Sequence, residues 1–209
     1  MLTIAVKSPA TQAVEMFTIH KNFICHYAPQ SPLLHPSITS SGATNVPEVE
    51  AEASIFTGLV NWIYTQEIKD TETETSVVGI EFLVGLWVLA EQTRIPKLQN
   101  QVMRLLQTGK TGYCKDDGQL LLFAYRNSSK KSPLRRVLVD IFIQDLGSCK
   151  EGEVVDYSVV PLEMFIDITE VMRRQNLVRK FAKSKEADLL VREDSEAVRG
   201  AAEQKVEYT

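Results

Sequence analysis

VPEVEAEASIFTGLVNWIYTQEI (residues 46–68) and LWVLAEQTRIPKLQNQVMRLL (residues 86–106) decide the fold class. In the first, Ile55, Phe56, Leu59, Val60, Ile63 and Tyr64 recur at one-face helical spacing. A short strand is expected just ahead of it, over Asn45 to Val49. The second stretch continues an apolar run from Val77 to Ala90 whose single charge is Glu81. A helix apolar nearly all round belongs in the middle of a core. Arg94-Ile95-Pro96 breaks it, and Pro96 at a first helical position starts another helix with Leu98, Val102, Leu105 and Leu106 on one face.

Towards the amino terminus, Leu2 to Val6 and Met16 to Ile19 are short β-branched alternations separated by a Ser8-Pro9 loop, which reads as a hairpin. His20 to Tyr27 gives one or two helical turns, stopped by Pro29, Pro32 and Pro36, so residues 29–45 read as an irregular loop. Towards the carboxyl terminus, 69–76 (KDTETETS) is a polar connector, and Thr108 to Gly112 ends the last helix of the first half at a domain boundary. An apolar helix follows over Gln119 to Tyr125. Ser132-Pro133 then caps a helix carrying Leu134, Val137, Leu138, Ile141, Phe142 and Leu146, closed by Gly147. Pro161 opens another helix with Leu162, Phe165, Ile166, Thr169 and Met172 expected to face inward. Leu177 to Thr209 is a mixed-charge stretch, amphipathic helix or disorder.

The chain has 209 residues and a mass of 23.5 kDa, enough for one large or two small domains without disulfide or metal staples. Hydrophobic residues make up 44% and charged residues 24%, an ordinary globular balance. Net charge is −4, and the basic residues form only short groups such as Lys130-Lys131 with Arg135-Arg136, which leaves no footprint for direct nucleic-acid binding. The longest apolar run is about half a bilayer's worth of helix, and no signal peptide is expected. Cys25, Cys114 and Cys149 are an odd, widely spaced set without CxxC, which fits reduced thiols in the cytoplasm or nucleus. On that reading the Asn127-Ser128-Ser129 sequon is an accident.

Motifs for chemistry are sparse. Gly109-Lys110-Thr111 ends like a phosphate-binding loop, but Arg104 stands where the loop needs its earlier glycine. Cys25, His20, His26 and His35 are metal-ligand types without the paired spacing of a zinc site, and adjacent Cys25 and His26 leave a helix in different directions. Neither a metal nor a cofactor is expected. Thiol catalysis at Cys25 or Cys114 would need an electropositive pocket and an orienting third group; it stands as the alternative to a non-catalytic protein. Trp62, Tyr64 and Trp87 lie on continuous apolar faces and read as packed core rather than as interface anchors.

In order and in residues, FTIHKNFICHYAP (17–29) followed by the two stretches quoted above resembles the BTB/POZ domain, of the filamentous-fungal type. The motif positions are His20-Lys21 after the second strand, Trp62 to Thr65 with Tyr64 at a helix end, and Ala90 to Asn100 with Pro96 at the join of two helices. The resemblance covers residues 1 to about 108. NSSKKSPLRRVLVDIFIQDLG (127–147) and PLEMFIDITEVMR (161–173) also resemble the helical region that follows the domain in the fungal proteins.

The resemblance implies an α+β fold, a small β-sheet capped by a cluster of α-helices over 1–108, then an all-α extension over 113–178 and a charged tail over 179–209. It implies a non-catalytic protein–protein interaction module that forms homodimers or serves as an adaptor, a cullin-type ubiquitin-ligase scaffold being one partner. The family's dimer seam maps onto Leu2, Ile4, Val6, Phe23, Ile24 and Tyr27; no direct nucleic-acid or membrane contact is implied. Two departures stand out. Met1 leaves Lys21 without the acidic partner the family places before its first strand. The family's aromatic second helix is replaced by Gln30 to Ser37, with two prolines; either Leu33, Leu34 and Ile38 cover the core there, or part of it stands open.

Overall fold

A computed structural model describes residues 1–34, 46–69, 78–108, 118–148 and 160–174. Among them the architecture is α+β, a three-stranded mixed sheet with seven α-helices. Residues Met1–Asp167 form one compact unit and Ile168–Thr209 a second, of which only Ile168–Arg174 lie among the described residues.

The hairpin forms as its alternation requires. β1 (Leu2–Lys7) and β2 (Val14–Ile19) pair antiparallel from Leu2↔Ile19 to Lys7↔Val14, and β3 (Glu48–Glu50) joins β1 in parallel, giving the order β2-β1-β3. Ile4, Val6, Ile19 and Val49 point into the core. The connecting turn closes on Ser8, whose N–H donates to the Ala13 carbonyl and whose Oγ donates to the Glu52 carboxylate at 2.9 and 3.1 Å.

α1 (Lys21–Tyr27) is short, and a single 3₁₀ turn at Pro32–Leu34 follows it. That turn settles the open choice for the replaced segment as far as it is described: Leu33 is buried and Leu34 packs against the core, while Ile38 lies outside the described residues. α2 (Ala53–Thr65) buries Phe56, Leu59, Trp62 and Ile63. α3 (Ile80–Gln92) buries nine of its residues, as an all-round apolar helix must. α4 (Pro96–Gln107) starts on its proline and buries Leu98, Val102 and Leu106.

α5 (Gly118–Arg126) packs on α3, and α6 (Pro133–Ser148) packs on both α4 and α5. Leu120, Ala124, Leu134, Val137 and Leu138 therefore belong to the same hydrophobic cluster as Ile4 and Trp62. The stretch expected to separate the two halves, residues 109–117, lies outside the described residues, as does the charged tail. Ser132 caps α6, its Oγ accepting the Leu134 N–H at 3.1 Å. α6 runs on through Gly147 to Ser148, so the glycine does not close it.

The inward face expected for the last helix is corrected. On α7 (Leu162–Arg174), Leu162 is 74% and Ile166 59% exposed, while Met164 is buried. The face is set by a polar tie three residues on from Met164, where Asp167 accepts the Tyr125 hydroxyl at 2.9 Å. Arg135, in one of the short basic groups, is buried. Its guanidinium donates to the Tyr125 and Ser128 carbonyls and to Ser128 Oγ, and lies 4.4 Å from the Tyr125 ring centroid. The cation takes up carbonyls at the carboxyl end of α5 that would otherwise be orphaned.

Candidate interaction surface

The motif residues meet where α1 packs on the end of α2. His20 precedes α1 in extended conformation, and its backbone N–H donates to the Tyr64 hydroxyl at 3.1 Å. The same hydroxyl lies 2.9 Å from His20 Nδ1. Having accepted the backbone proton, it keeps its own to donate to the ring nitrogen when that nitrogen is bare. Phe23, in the first turn of α1, meets Tyr64 edge to face with centroids 4.9 Å apart, and the His20 ring stands edge-on to both. Phe23 is 38% and Tyr64 42% exposed. Three rings thus form one mutually braced patch at the surface.

A second set of contacts ties α1 and the end of α2 to α4. Tyr27 packs on buried Trp62, centroids 5.2 Å apart, and the Trp62 indole donates to Gln101 Oε1 on α4 at 2.8 Å. Gln66, at the left-handed position that ends α2, accepts from Lys97 Nζ and, through its carbonyl, from Gln101 Nε2. Lys97 also lies 5.4 Å from the Tyr27 ring centroid. Pro96 starts the helix that brings Lys97 and Gln101 there.

Of the expected seam residues, Ile4, Val6 and Ile24 are buried in the chain's own core, Leu2 and Tyr27 are half-buried, and Phe23 is exposed. Trp62 and Trp87 are core, as read from their apolar faces; Tyr64 is not, because α2 ends one residue later and its apolar stripe there runs off the core. His20, Lys21, Cys25 and His26 are exposed. Cys114, Cys149, His35 and Gly109 to Thr111 lie outside the described residues. Among the described residues no group of three His, Cys, Asp or Glu side chains is arranged to hold a metal ion, and no helix is long and apolar enough to cross a membrane. The His20–Tyr64 tie was not read from the sequence; the histidine after a strand and the tyrosine at a helix end were its separate traces.

A cleft of about 360 Å³ lies elsewhere, between α3, α5 and the turn into α2. It is lined by Ile55, Val88, Leu122 and Phe123 together with the charged Glu50, Glu52 and Arg126. Chemically the aromatic patch offers flat apolar area with hydroxyl, imidazole and ammonium groups at its edges, a surface suited to burial against another protein. A scan against protein-family models gives no match, and no curated protein matches the chain.

Proposed function

We propose that this chain is a BTB/POZ-like protein–protein interaction module that acts by burying surface rather than by catalysis, in the cytoplasm or nucleus. On this reading it self-associates next to α1 and acts as an adaptor through the end of α2 and the helices after it, a cullin-type scaffold being one partner. The observation that supports the reading is the exposed Phe23–Tyr64–His20 patch, made of the motif residues themselves. Rigid aromatics exposed together, with their polar atoms already engaged, lose little conformational freedom on docking and are the residue types that dominate binding energy.

The test is light scattering of the full chain over a range of concentrations, together with calorimetric titration against a purified cullin amino-terminal segment. Wild type is compared with Phe23→Asp and Tyr64→Ala. Each substitution is expected to weaken at least one association by roughly 30-fold, the worth of a hot-spot side chain of about 2 kcal/mol. Self-association and scaffold binding that both survive the two substitutions unchanged, or that are both absent from the wild type, would overturn the reading.

A further inference from the structure

We propose that a second copy of this chain adds to the open edge of β2, strand to strand and antiparallel, in a register centred on Met16. This surface is separate from the α1 patch, and the proposal does not rest on that patch.

The backbone directions decide which groups are free. Ala5 N–H donates to the Pro47 carbonyl and the Lys7 carbonyl accepts from Ala51 N–H, so the odd residues of β1 bond towards β3. Its even residues therefore bond towards β2, as the Ser8 to Ala13 bond at the hairpin end also does. Across the register Leu2↔Ile19, Ile4↔Phe17 and Val6↔Glu15, the odd residues of β2 are the ones that answer them. Val14, Met16 and Thr18 are left with their N–H and C=O groups directed at the open edge. Among the described residues no strand pairs beyond β2.

The same three residues carry the side chains of the outer face. Val14 is 55% and Met16 57% exposed, both large and apolar, and Thr18 completes the row. The six consecutive pairs run without a bulge, and β2 holds no proline, so neither of those devices blunts the edge. Its one charge, Glu15, selects the register. Centring on Glu15 would set two carboxylates directly opposite each other, which is unfavourable. Centring on Phe17 would leave Val14 opposite His20, beyond the strand.

Centring on Met16 pairs Met16 with itself, Val14 with Thr18 and Glu15 with Phe17. Met16 N–H then reaches the Met16 carbonyl of the second copy, and Val14 and Thr18 exchange bonds in the same way. The two-fold axis stands perpendicular to the sheet, as an isologous dimer requires, and the apolar Val14 and Met16 side chains of both copies gather at its centre. The inner side next to the edge is open enough to receive the neighbour, since Glu15 is exposed and Phe17 only half-buried.

The test uses the full chain. Light scattering of Phe23→Asp, which removes association next to α1, is expected to give twice 23.5 kDa, and adding Met16→Lys, which opposes two ammonium groups on the axis, is expected to return it to 23.5 kDa with the far-ultraviolet spectrum unchanged. Oxidation reads the register against the parent chain with its own cysteines. Met16→Cys is expected to cross-link to itself, Val14→Cys alone is not, and the Val14→Cys/Thr18→Cys double variant is. A Phe23→Asp protein that is monomeric at all concentrations, a Phe23→Asp dimer that survives the addition of Met16→Lys, or Val14→Cys cross-linking as strongly as Met16→Cys would each overturn the proposal. A dimer lost in Phe23→Asp but kept in Met16→Lys would do so while leaving the α1 reading standing.

Discussion

Gly58 lies on the buried side of α2 where α3 crosses it, and a Cβ there would stand 3.1 Å from Phe82 Cε2 and nearer still to Cζ. Alanine is the better helix former by about 1 kcal/mol, but forcing a methyl against a ring packed in the core costs more, about 1–3 kcal/mol. Gly58→Ala is thus expected to destabilise the protein by about 1 kcal/mol in urea unfolding, and adding Phe82→Leu is expected to recover part of that loss. The need for a glycine here was not legible in the sequence, because the ring that demands it is far along the chain and periodicity carries no information about which side chains meet across elements. The same limit explains Arg135. A basic residue beside another reads as solvated, and only the folded turn between α5 and α6 supplies the carbonyls that bury it.

At the scale of the element, helix starts were the legible part. Pro96 and Ser132-Pro133 mark helix beginnings by local chemistry, and the structure uses both. The face of α7 was not legible, because apolar residues lie on more than one side of it and the choice fell to the Tyr125–Asp167 hydrogen bond. Burial, together with the Asp167 carboxylate that its hydroxyl serves, pushes the Tyr125 phenol well above its ordinary value near 10. A folded-state value above the unfolded one means the contribution is complete below the unfolded value and is lost as pH rises beyond about 10. Tyr125→Phe is therefore expected to lower stability at neutral pH by about 1–2 kcal/mol and to flatten the decline above about pH 10. Thermal melts of both proteins between neutral and alkaline pH would show it; parallel declines would mean that Tyr125 is not what titrates.

For the molecule, the class of fold was legible in the change from alternating to helical spacing, whereas the order of the strands was not. β3 contributes three residues, too few for a pattern to say that it lies beside β1 rather than β2. Nor does the sequence show that helices beyond residue 117 complete the core, because each carries only its own stripe. Truncation after Gly112 removes Leu120, Ala124, Leu134 and Leu138 from that core and bares the faces of α3 and α4 beneath them. The fragment is expected to melt more than about 10 °C below the full chain and to bind a hydrophobic dye; an equal melting temperature would show two independent halves.

The position of α3 also shapes how the protein is made. The residues that hide it come from both sides along the chain, Phe56 and Leu59 before it and Leu120 and Ala124 after it. During synthesis, therefore, the most apolar helix leaves the ribosome before the later part of its cover, on α5, exists. Over that interval the nascent chain carries an unshielded greasy rod, and holdase chaperones would find their main foothold there.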